Sequence, residues 1–193
     1  EMTSSLVGSE MCIRDRFKNV YGKLKKRYDE LVKFDDDIST MEGCALMHLL
    51  DEGICNYEFI AKWCIENHIN KVYDIGCAYG HQAEFFIENK INYAGIESER
   101  FGPFWREDEL DYFNKAYPFE INADKGELAI SVFCLTWNCY LIDGQKTLQN
   151  QLEQLSKDFN HCLLFIPKDK VDFVNLYYKE HIHLGGNYHY FSK

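Results

Sequence analysis

KVYDIGCAYG, residues 71–80, joins a short apolar run to a glycine-containing turn. Its first six residues read as a buried strand, and Ala83, Phe86 and Ile87 beyond it recur at helical spacing, so strand, turn and helix are expected in that order. Glycines at such a junction let the backbone approach a ligand, and the following helix N-terminus offers free N–H groups. Seventeen residues beyond Gly80, Glu97 closes a second expected strand, NYAGIE (92–97). A carboxylate at that place can accept both hydroxyl hydrogens of a ribose. Turn and carboxylate support each other as parts of one ligand site.

Downstream, LAISVFCL (128–135) carries no charge, as suits a strand covered on both faces. Residues 118–121 form a weaker third strand before it, and the acidic, aromatic-rich stretch 101–117 reads as helix over 108–115. Leu148, Leu152, Leu155 and Phe159 make an apolar helical stripe, and HCLLFI (161–166) is a fifth strand. Residues 177–184 and 187–191 flank Gly185-Gly186, a two-residue hairpin signal. Upstream, Phe17, Val20, Tyr21, Leu24, Tyr28, Leu31 and Val32 recur at helical spacing, with Lys18, Lys23, Lys25, Lys26 and Arg27 mostly on other faces. Ser39 or Thr40 is placed to cap a second helix carrying Met41, Ala45, Leu46, Leu49 and Leu50, and a third helix covers 57–67. The pattern predicts an α/β, doubly wound Rossmann-like sheet, mainly parallel with a C-terminal antiparallel hairpin, preceded by N-terminal helices.

The chain has 193 residues, 46% hydrophobic and 27% charged, which suits one core; residues 17–69 are expected as a helical lid region and 70–193 as a Rossmann-like core of one domain. EMCIRDR (10–16) resembles the translation of a transposon-end sequencing adapter, so residues 1–16 are set aside as a non-native segment. Setting aside Arg14, Arg16, Glu1, Glu10 and Asp15 leaves 19 basic against 28 acidic residues, a net charge of −9. That sign disfavours a surface that tracks phosphate backbones, and duplex nucleic acid is not an expected partner. No run approaches the ~18–20 apolar residues of a membrane span, and no secretory signal is seen, so a cytoplasmic chain without membrane association is expected. The eight cysteines include no C-x-x-C pair and are expected as free thiols.

DIGCAYG resembles the first motif of the class I S-adenosylmethionine-dependent methyltransferases, a strand ending in an acidic residue followed by x-G-x-G-x-G; Asp74, Gly76 and Gly80 match, and Ala78 replaces the middle glycine. The turn is expected to survive that change if φ at Ala78 stays negative. The resemblance implies S-adenosylmethionine as cofactor, with Gly76, Cys77, Ala78 and Gly80 against its amino-acid end and Glu97 on the ribose. It implies that Asp74 acts through a water or holds the turn. A carboxylate after strand three often marks the adenine side in this family, and Asp124, ahead of Glu120, is the candidate. A nicotinamide fingerprint would need G-x-G-x-x-G, which Ala78 and His81 break, and no G-K-[ST] follows a strand.

The end of strand four faces the methyl group in this family, which here is TWNCY (136–140). Trp137 and Asn138 are therefore the substrate-side candidates, with Trp137 either stacking on a flat acceptor near the sulfonium or serving as core. Methyl transfer needs alignment and desolvation more than one obligatory base. TWNCY lacks the paired prolines of DNA amino-methyltransferases, and Cys139 follows Asn138 rather than the proline that accompanies a cytosine-C5 nucleophile. A small-molecule or protein acceptor is expected, and a non-catalytic cofactor-binding or scaffold module on the same fold is the alternative. Early helices of this kind commonly cover the cofactor in the family, so residues 17–50 are expected over the cleft, with Tyr21, Tyr28 or Met47 near its mouth. His181, His183 and His189 crowd the hairpin, but a Gly185-Gly186 turn would set His181 and His183 opposite Tyr190 and Tyr188, so no metal is expected there.

Overall fold

The computed structural model describes residues 4–34, 41–132, 134–135 and 144–193; Ser39, Thr40 and the TWNCY segment lie outside them. Helices α1 (Ser4–Phe34), α2 (Met41–His48), α3 (Ile54–Glu66) and α4 (Ala83–Ile87) belong to one compact unit, and the strands to another.

In the helical unit, Phe17, Val20 and Leu24 bury the predicted stripe of α1, whereas Tyr21 is left exposed. Phe85 of α4 packs between Phe17 and Tyr57, at ring-centre distances of 5.5 and 6.4 Å. A π-helical turn, Leu49–Gly53, runs α2 directly into α3, which begins three residues before the predicted start at residue 57. Gly53 permits this tight stretch, because a Cβ there would lie 2.9 Å from Leu49 Cδ1. The basic residues of α1 face carboxylates: Lys23 meets Glu84 at 2.9 Å and also Glu88, Lys25 meets Asp29, Lys26 meets Glu30 at 3.9 Å, and Arg27 meets Glu42 at 2.9 Å.

The second unit is built on a seven-stranded sheet in the order β3-β2-β1-β4-β5-β7-β6. Its strands are β1 (Lys71–Ile75), β2 (Asn92–Glu97), β3 (Asp111–Asn114), β4 (Leu128–Val132), β5 (His161–Phe165), β6 (Glu180–Gly185) and β7 (Tyr188–Ser192). The first five run parallel, and β7 is antiparallel to both β5 and β6. Order reverses at β1, with β2 on one side and β4 on the other, which makes the carboxyl ends of these strands the crevice where open α/β sheets bind ligands. Helix α5 (Gly144–Asp158) covers one face with the predicted stripe: Leu148, Leu152 and Leu155 are buried with Phe159 beside Tyr73, Ile75 and Ile96. Removing one such side chain, as in Leu152→Ala, carries the ~2–5 kcal/mol of a core cavity.

Two predicted elements are corrected. Residues 108–115 are not helical: Asp111–Asn114 is β3, with Gly95 opposite Tyr112 and Ile96 opposite Phe113, while residues 118–121 hold no strand. Asp111 is exposed on this edge strand, where charge discourages further pairing, and the central Tyr-Phe pair favours extended backbone. The terminal hairpin turns through Gly186-Asn187, since Gly185 pairs with Tyr188 across an irregularity between His183 and Gly185. Gly185, at φ +111°, accommodates that irregularity.

Candidate functional site

The turn after β1 is held to the end of β2 by its own backbone. Ile96 O accepts from Gly76 N at 2.8 Å and Cys77 N at 3.2 Å, and Gly80 N donates to Cys77 O at 2.8 Å. Gly76, Ala78 and Gly80 all take positive φ, at +84°, +48° and +76°. Ala78 thus does not keep the negative φ that was the condition for the turn to survive; an L-residue in the left-handed region costs ~1–2 kcal/mol, and the turn retains that strain. Glu97 supplies the compensating contact: its Oε2 accepts Ala78 N at 2.9 Å and its Oε1 accepts Ser98 N at 2.7 Å. A carboxylate has about four acceptor positions, so each oxygen keeps one lone pair for a further donor.

The glycines serve the protein's own side chains as well as any ligand. A Cβ on Gly76 would lie 2.6 Å from Cys134 Sγ, and one on Gly80 would lie 2.7 Å from Tyr112 Cε1. Asp74 is fully buried and accepts Tyr93 OH at 2.8 Å. It therefore ties β1 to β2 beneath the turn, which fits the holding role. Burial pushes the Cys77 thiol well above its ordinary value, helped by the charges of Asp74 and Glu97, and burial takes Cys134 up to about 12 with the same two carboxylates. Both stay protonated near neutrality.

A cavity of about 170 Å³ opens at the carboxyl ends of β1 and β2, lined by Gly76, Ile96, Glu97, Ser98, Tyr117 and Cys134 among others. It is smaller than the ~300–1,000 Å³ of drug-sized sites. Of the predicted residues, Gly76 and Glu97 line this cavity; Cys77, Ala78 and Gly80 continue the turn from Gly76, and Asp74 lies buried in β1 before it. Asp124 is exposed in the turn entering β4 at Leu128, its N–H bonded to Glu127 at 2.8 Å, and it is not among the residues that line the cavity. With β3 at Asp111–Asn114, the residues that follow it to the cavity are Ala116 and Tyr117. Tyr117, Gln151, Ser98, Arg100 and Cys134 were missed; Ser98 and Arg100 were legible as the residues just past Glu97, whereas Gln151 arrives from α5 with no local signal. Trp137 and Asn138 lie outside the described residues.

The histidines of the hairpin do gather, contrary to expectation, because the irregular register sets His183 opposite His189 and His181 opposite Phe191. His189 lies 5.1 Å from His181 and 4.8 Å from His183 between ring centres. His181 Nε2 and His189 Nδ1 are 2.9 Å apart, so with centres at 5.1 Å the two nitrogens face each other in line and share a hydrogen bond. A zinc ion on the line joining them would need about 4 Å between the nitrogens, twice the ~2.0–2.1 Å zinc–nitrogen distance, and they stand at 2.9 Å. Among the described residues no group of three metal-ligating side chains is poised for an ion, and no helix is long and apolar enough to cross a membrane.

No protein-family model and no curated protein matches this sequence. Among solved structures, the chain is similar to the magnesium protoporphyrin IX methyltransferase of Synechocystis PCC 6803 with bound SAM, at TM-score 0.58 and 11% identity over 94% of both chains. A TehB-like SAM-dependent methyltransferase from Corynebacterium glutamicum ATCC 13032 Kitasato matches at TM-score 0.48 and 12% identity, over 69% of this chain and 86% of that one. The first covers nearly the whole chain and agrees with the seven-stranded, mostly parallel sheet and its antiparallel end. The chain therefore has the Rossmann-like fold of the class I S-adenosylmethionine-dependent methyltransferases.

Proposed function

We propose that this protein binds S-adenosylmethionine at the carboxyl ends of β1 and β2 and transfers its methyl group to a small-molecule or protein acceptor. The observation that carries the reading is Glu97: it closes β2, lines the cavity, and is aimed by Ala78 N and Ser98 N with one lone pair per oxygen left for a vicinal diol. Bound there, the cofactor would supply an electrophilic methyl group on a cationic sulfonium. Glu97 would hold the ribose, the turn from Gly76 would meet the amino-acid end, and Cys134, kept as an uncharged thiol, would not compete for the methyl group. Orientation of the acceptor and exclusion of water supply the rest of the rate. Pairing of Lys23, Lys25, Lys26 and Arg27 with carboxylates supports an acceptor other than duplex nucleic acid.

Calorimetric titration of the full chain with S-adenosylmethionine and S-adenosylhomocysteine tests the reading. Heat of binding is expected for both, and its absence at millimolar ligand overturns the proposal. The strained Ala78 favours the second reading, a module that binds cofactor without transfer. Labelled-methyl transfer to any member of a panel of metabolites and proteins excludes that alternative, and binding with no transfer across the panel supports it.

A further inference from the structure

Tyr112 reaches from the edge strand β3 to Gly80, at the end of the glycine turn. Its ring fills the space that glycine leaves at two places: a Cβ on Gly95, its partner in the sheet, would lie 2.6 Å from Tyr112 Cε1, and one on Gly80 would lie 2.7 Å from the same atom. The ring is itself fixed, stacked on Phe104 at 4.6 Å between centres with planes 6° apart, and its hydroxyl donates to Trp105 O at 2.8 Å. Trp105 N in turn donates to Tyr79 O at 2.8 Å, and Phe101 meets the Tyr79 ring edge-on at 5.5 Å. Residues 101–112 therefore grip the last two residues of the turn, Tyr79 and Gly80, by one backbone hydrogen bond and two ring contacts.

We infer that Tyr112 is a positioning residue, holding the Gly76–Gly80 turn in its left-handed path so that the turn is preorganised for the amino-acid end of the cofactor. This rests on the proposed cofactor. The left-handed path is strained at Ala78, and a strained segment keeps its shape only when its surroundings over-determine it. Glu97 and Ile96 secure the start of the turn from β2, and the Tyr112 strap secures its end. A turn left loose would have to be ordered on binding, at the expense of affinity.

The test separates the two ends of the ligand. S-adenosylhomocysteine carries the amino-acid end, and 5′-methylthioadenosine lacks it while keeping adenine and ribose. In Tyr112→Ala, affinity for S-adenosylhomocysteine is expected to fall about tenfold, while that for methylthioadenosine stays within about twofold. Tyr112→Phe keeps the wedge and is expected to restore most of the loss. Circular dichroism checks folding, and Tyr112→Leu, which retains apolar volume without the ring, takes the place of the alanine variant if that variant does not fold. Equal weakening of both ligands, or an unchanged affinity for S-adenosylhomocysteine, overturns the inference. Wild-type protein that binds neither ligand overturns the proposed cofactor itself and this inference with it, an outcome distinct from the other two.

Discussion

Glu97 and Ala78 share one hydrogen bond and make opposite demands on the turn. Because both Glu97 oxygens accept backbone N–H groups, Glu97→Gln is not a conservative change: its amide nitrogen must face either Ala78 N or Ser98 N, donor against donor. Leaving a partly buried group unmatched costs ~1–3 kcal/mol, so Glu97→Gln is expected to weaken S-adenosylhomocysteine binding about as much as Glu97→Ala does. Calorimetry on both variants checks this, and a glutamine variant with near wild-type affinity would show that the acceptor pair does not orient the site. Ala78 sits at φ +48°, where glycine is unstrained. Ala78→Gly is accordingly expected to stabilise the fold by about 1 kcal/mol, raising Tm by ~2–4 °C; a lower Tm in thermal melts would mean that the methyl group packs better than its backbone strain costs.

Among elements, β6 and β7 carry a stability that depends on pH. Burial lowers the His189 pKa to about 4, with the charges of His181 and His183 adding to the shift, and burial likewise lowers His181, against which Asp172 acts in the opposite direction. The ordinary value is 6.5 for each, so the unfolded chain takes up protons that the folded hairpin refuses. The contribution is thus fully present above pH 6.5 and is lost as pH falls toward about 4. His189→Phe preserves an aromatic ring against Phe191 and removes the titration. Its melting temperature is expected to fall less than that of wild type between pH 7 and pH 4.5, and parallel pH profiles would remove His189 from the account. At the other edge of the sheet, β3 shows how context overrides pattern. Asp111, Tyr112, Phe113 and Asn114 lack alternation, yet pairing with the buried Ala94–Glu97 backbone makes them a strand.

For the whole molecule, net charge and local pairing act together. The full sequence carries −10, and the basic residues of α1 that run against that sign mostly face Glu84, Glu88, Asp29, Glu30 and Glu42. The exposed pairs among them, Lys25–Asp29 and Lys26–Glu30, add little stability, but all of these pairs neutralise the cationic field that would draw in a polyanion. Neither duplex nor single-stranded nucleic acid is expected to bind tighter than about 10⁻⁴ M near physiological salt. Micromolar, steeply salt-dependent binding that is lost in Lys25→Glu with Lys26→Glu would show that the stripe outweighs the pairing.

The sequence by itself determined what depends on neighbours along the chain. The buried strand Lys71–Ile75, the glycine turn, the acidic end of Asn92–Glu97, the leucine stripe of Gly144–Asp158 and the final hairpin each carry a local periodicity or turn signal, and together they specify the doubly wound sheet. Only the tertiary structure decided what depends on partners remote in sequence. The third strand exists because β2 offers an open edge, and its position brings Tyr117 to the cavity. The left-handed Ala78 exists because Glu97, 19 residues away, accepts its N–H. The histidines meet because one irregular pairing changes which side chains lie opposite, a shift that period-two reasoning from the turn does not contain.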